Sequence, residues 1–118
     1  MNTPHKDPRL YLIHILECLE KIKRYTLDGH RTFLMTPLIQ DAVYRNFEII
    51  GEAAKRIPDQ VRVLDETIPW RNIAGLRDVI IHQYDGVDPE KVWGIIENDL
   101  VPLESRVRAI LEQLGGVR

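Results

Sequence analysis

Apolar residues recur along this chain at intervals of three and four, and no run alternates as a half-buried strand would. The first stripe is Leu12, Ile15, Leu16, Leu19 and Ile22. It follows Asp7-Pro8, an N-cap with proline at the first helical position. Tyr11, Cys18 and Tyr25 repeat every seven residues on a neighbouring line, and the helix is expected to fade near Asp28-Gly29. Residues 30–36 have no clear periodicity and read as a loop or a frayed helical turn. A second helix is expected from about Pro37 to Ile57, stopped by Pro58, with Ile39, Ala42, Val43, Phe47, Ile50, Ala53, Ala54 and Ile57 as its stripe. Residues 59–68 suggest a short helix and a turn. Pro69-Trp70 then opens a third long helix, expected to end near Asp85-Gly86. Asp88-Pro89-Glu90 repeats the start signal. The last helix carries Trp93, Ile96, Leu100, Leu103, Val107, Ile110 and Leu114 in an unbroken alternation of threes and fours. Pro102 is expected to kink it without ending it, and Gly115-Gly116 to close it. The pattern predicts an all-α fold: one domain over residues 1–118, four or five helices in a bundle, with a long kinked C-terminal helix.

Two residues of the second helix interrupt its logic. Asn46 lies inside the apolar stripe and needs a hydrogen-bond partner there. Gly51 costs about 1 kcal/mol of helix propensity, so its use is close approach of another helix. On the polar face of the same helix, Arg45, Glu48, Glu52 and Arg56 stand at spacings of three and four. Paired glutamates could serve a metal or acid–base chemistry, but salt bridges to Arg45 and Arg56 are the favoured reading.

Composition narrows the class of function. A chain of 118 residues with 44% hydrophobic and 29% charged residues is ordinary for a single globular domain. Its formal net charge of −2 makes it no general polyanion binder, so any nucleic-acid contact must come from a local basic patch. The basic turn Lys21, Lys23, Arg24 reads as a solvated face, with RNA contact as the alternative. The single Cys18 excludes an internal disulfide and suggests a buried thiol. No apolar run has transmembrane length and the N-terminus has no signal-peptide core, so no membrane association and a cytoplasmic location are expected. There is no glycine-rich phosphate loop and no Cys/His metal cluster. Ser105 is the lone serine, set mid-helix among charges.

The chemistry that remains lies in the third long helix, in Gly75-Leu76-Arg77-Asp78-Val79-Ile80-Ile81-His82-Gln83-Tyr84. Ile73, Leu76, Val79 and Ile80 form the arc that can face a core, so the polar residues are expected to point away from it. At about 100° per residue, Arg77 and His82 stand about 140° apart, and Tyr84 returns to within about 20° of Arg77. Asp78 is placed four residues before His82, a spacing that allows a carboxylate–imidazole contact. Imidazole titrates near neutrality, arginine can hold two phosphate oxygens, and Asp78 can fix the imidazole. This set suits cleavage of RNA by its own 2′-hydroxyl, with no metal. One histidine serves poorly as both base and acid, which two copies across a dimer would resolve. Surface salt bridges for Arg77 and Asp78, with His82 and Tyr84 packed on a neighbour, satisfy the same spacing.

Arg77-Asp78-Val79-Ile80-Ile81-His82-Gln83-Tyr84 resembles the R-x4-H-x-Y signature of the HepT-like branch of the HEPN superfamily. Phe47 to Lys55 is similar to that family's second-helix signature, and Ile68-Pro69-Trp70-Arg71 and Val92-Trp93-Gly94-Ile95-Ile96 match in order. The resemblance implies the toxin of a type VII-like toxin–antitoxin pair, a metal-independent endoribonuclease with no cofactor. It implies a homodimer with a composite site, in which Arg77 and His82 are catalytic and Asp78 supports them. It further implies a partner, a minimal nucleotidyltransferase antitoxin that transfers AMP to Tyr84. The alternative is a non-catalytic helical subunit that presents substrate or nucleotide to such a nucleotidyltransferase. A helical dimerisation protein with no ligand is a third reading.

Overall fold

Local capping sets where the helices begin. Asp7 Oδ1 accepts the Arg9 backbone N–H at 3.0 Å and starts α1 (Pro8–Tyr25), whose last turn carries Lys23 and Arg24 at the negative end of the helix dipole. Asp88 does the same for α6 (Pro89–Gln113), accepting from Glu90 N at 2.9 Å. The computed structural model describes residues 7–82 and 86–115, and of Ile81 and His82 the backbone only. Between those two helices stand α2 (His30–Met35), α3 (Pro37–Lys55), α4 (Asp59–Arg62) and α5 (Trp70–His82). The architecture is all-α, with six helices among the described residues.

Residues 30–35 are helical, so of the two readings, loop or helical turn, the structure supports the second. Gly29, at φ 94°, turns the chain into α2, and Phe33 buries its ring almost completely. One large apolar side chain anchors this element, too little for a periodic signal. The side-chain amide of Gln40 donates to the carbonyls of Phe33 and Leu34, satisfying the end of α2. In the same way Arg62 donates to the carbonyls of Ala54 and Ile57 and closes α3, which ends at Lys55, two residues before the expected stop.

Helix α3 is the central element, packed between α5 and α1, while α6 lies on α1 and α2. The stripe of α1 is buried throughout, together with the Cys18 thiol, whose pKa burial pushes up. It meets Val43, Phe47, Ile50 and Ala54 of α3 and Val107 and Ile110 of α6. Helix α6 runs through Pro102 without ending, as expected. Its Glu104 is buried and accepts from Lys23 Nζ at 3.1 Å, so Lys23, with its side chain still 39% exposed, also ties α1 to α6. In α5, Ile73 and Ile80 are buried, but Val79 is 51% exposed and does not join the core as its position in the pattern suggested. Asn46 is buried and is half satisfied: its Nδ2 donates to the Ala42 carbonyl at 2.8 Å, while its Oδ1 has no partner among the described residues. Among the described residues no helix is long and apolar enough to cross a membrane.

Candidate functional site

The site is set by how closely α3 and α5 approach. A Cβ on Gly51 would lie 2.9 Å from the backbone nitrogen of Arg77, and 3.1 Å from both its Cβ and the Ile73 carbonyl. Only a residue without a side chain fits there. The contact turns Arg77 toward the polar face of α3, off the core as expected but onto a neighbouring helix. Its Nε lies 3.2 Å from Glu52 Oε2, and its Nη1 donates to Asp78 Oδ1 at 3.3 Å. Asp78 also lies 4.0 Å from Lys55 Nζ. The guanidinium is thus held at two of its three nitrogens while its side chain stays 39% exposed.

Glu52 holds a second arginine, with Oε1 lying 3.3 Å from Arg56 Nη2. That carboxylate, and after it the Tyr11 phenol, raise the pKa of the Arg56 guanidinium above its ordinary value. The favoured pairing on α3 is half right. Arg56 and Glu52 pair, but Arg45 and Glu48 make no ion pair among the described residues. Both line a cleft of about 430 Å³ between α1 and α3, with Tyr11 and His14 on its α1 side and Arg77 at its α5 edge. A larger apolar cavity of about 490 Å³ opens on α5 and α6, beside Pro102, and Arg77 does not line it.

Of the residues singled out in the sequence, Arg77 and Asp78 are brought together, and His82 is the last residue of α5. The contact expected between Asp78 and the His82 ring involves a side chain outside the described residues, and Tyr84 lies outside them altogether. Sequence reasoning missed Glu52 as the partner of Arg77, and it missed Tyr11, His14 and Arg45 as neighbours of the same cleft. Spacing within one helix cannot pair residues across two. Gly51 was the available signal, because a close approach beside it places Glu52 against whatever α5 presents.

The family model described as "Ribonuclease HepT-like" matches residues 15–110. The chain belongs to the HepT-like ribonuclease family. Among its relatives, a protein of Methanocaldococcus jannaschii named "Gamma-glutamylcyclotransferase and putative RNase" is 41% identical over 92% of this chain. The chain spans only 50% of that protein's length. A "putative RNase" of Caldanaerobacter subterraneus subsp. tengcongensis is 40% identical over 92% of this chain and 97% of its own. A "probable ribonuclease HepT" of Thermococcus cleftensis is 40% identical over 90% and 94%. No solved structure matches. For this HepT-like chain, the matched span takes in the whole of α5, and with it Arg77, Asp78 and His82.

Proposed function

We propose that this chain is the ribonuclease toxin of a toxin–antitoxin pair, and that it cleaves RNA through the substrate's own 2′-hydroxyl without a metal ion. The observation that carries the reading is the seating of Arg77. Glu52 and Asp78 engage its Nε and Nη1, its Nη2 has no partner among the described residues, and the residue lines an open cleft. A guanidinium held at two nitrogens with the third open can receive a phosphodiester oxygen with little reorganisation. In the proposed reaction His82 takes the proton from the 2′-hydroxyl, whose oxygen attacks the adjacent phosphorus. A 2′,3′-cyclic phosphate forms as the bond to the 5′-oxygen breaks, and that oxygen takes a proton from the His82 of a second copy. Arg77 stabilises the charge gathering on the phosphoryl oxygens, and Asp78 supports the site. The antitoxin is a minimal nucleotidyltransferase, and AMP on Tyr84 places a bulky anion where the RNA phosphate binds.

The test is cleavage of a defined single-stranded RNA with and without EDTA. Equal rates are expected in both, with at least about a 10²-fold loss in His82→Ala at unchanged far-UV circular dichroism. Cleavage that stops on chelation would refute the metal-free mechanism.

A further inference from the structure

Apart from Arg77 and the Glu52 that holds it, the cleft between α1 and α3 is lined by groups that the proposed reaction does not use. Arg45 and Glu48 face it without an ion pair among the described residues, although each has an opposite charge three residues away on the same helix. Tyr11 and His14, one helical turn apart on α1, supply two rings on the other side. Glu52 is already engaged by Arg56 and Arg77, so its charge is answered within the protein. Beside Arg77, what the cleft offers a ligand is one guanidinium and one carboxylate without ion pairs among the described residues, and two rings, in a volume of about 430 Å³. That volume is within the range of small-ligand sites and suits a single nucleotide.

We infer that this cleft is a subsite for one nucleotide of the RNA strand next to the scissile phosphate. The inference rests on the ribonuclease reading and extends it from the bond broken to the strand held. Arg45 takes a phosphate oxygen, in line with Arg77 at the other edge. Glu48 accepts from a ribose 2′-hydroxyl, the group by which a protein distinguishes RNA from DNA. The base lies against the rings of Tyr11 and His14, an arrangement that single strands permit and stacked duplexes do not.

The test is the binding of a labelled single-stranded RNA and of the DNA of the same sequence, measured on His82→Ala protein over a range of salt. With Arg45→Gln added, RNA affinity should fall about tenfold and the salt slope by about one phosphate contact. With Glu48→Ala added, the preference for RNA over DNA should narrow. Arg108→Gln on α6 is the control for loss of one positive charge outside the cleft. Circular dichroism of each variant separates lost binding from lost fold. Unchanged RNA affinity and unchanged discrimination in the two cleft variants would overturn the inference, as would a control that weakens binding as much as Arg45→Gln does. The two readings fail separately. A chain that cleaves RNA but ignores both cleft substitutions keeps its reaction and loses this site. A chain that binds RNA through Arg45 and Glu48 without cleaving it keeps the site and loses the reaction.

Discussion

At Arg77 the shape of the side chain counts as much as its charge. Two carboxylates on different helices grip separate nitrogens of one planar group, which fixes the plane of the rest. A lysine there would keep the charge and lose the fork, so Arg77→Lys is expected to recover little of the activity lost in Arg77→Ala. RNA cleavage by the two variants side by side checks this, and near-normal turnover in the lysine variant would reduce the role of Arg77 to bulk electrostatics. Tyr84 poses the opposite question. A phenol with an ordinary pKa near 10 is a poor base at neutral pH, whereas imidazole titrates in range. Tyr84→Phe is therefore expected to keep killing its host whether or not the nucleotidyltransferase is present, and to gain no AMP by intact mass. Healthy growth without the partner would make the hydroxyl part of the reaction itself.

Between elements, the decisive contact is Gly51 against α5. A methyl group there meets the Arg77 backbone at 2.9 Å, and backbone cannot move aside as a flexible side chain can. Gly51→Ala should cost about 1–3 kcal/mol of stability through overpacking, despite the gain in helix propensity, and should lower RNA cleavage by separating Arg77 from Glu52. Chemical denaturation and a cleavage assay on the same preparation test both parts, and a variant as stable as the parent would show that the two helices have room. The helix starts at Asp7-Pro8 and Asp88-Pro89, the buried stripe of α1 and the use of Gly51 were all legible along the chain, because each depends on near neighbours or on helical period. The helix around Phe33 was not, since one buried ring secures it. Nor was the exposure of Val79, which depends on what packs beside α5 and not on the sequence around it. The same limit hid the bond between Glu52 and Arg77. It joins residues that no periodicity relates.

For the molecule as a whole, the proposed chemistry outruns what one chain supplies. Transfer through a 2′-hydroxyl needs a proton removed on one side of the phosphorus and delivered on the other, and the α5 motif holds a single histidine. His14 lies on the cleft with Arg77, but its place among the strand-binding groups suits a base contact, not proton delivery to the leaving oxygen. A second copy bringing its own Arg77 and His82 to the same phosphate would answer the need, as a two-fold axis passing beside the motif would arrange. The wild-type chain is accordingly expected to sediment as a homodimer at assay concentrations. A stricter check mixes wild-type chain with an excess of His82→Ala under conditions that let subunits exchange. A mixed dimer holds one intact histidine where the proposed reaction uses two, so cleavage per wild-type chain should fall steeply as wild-type dimers are drawn into mixed ones. A site complete within each chain predicts cleavage in simple proportion to the wild-type chain present, and a monomer with full activity would remove the need for a partner copy.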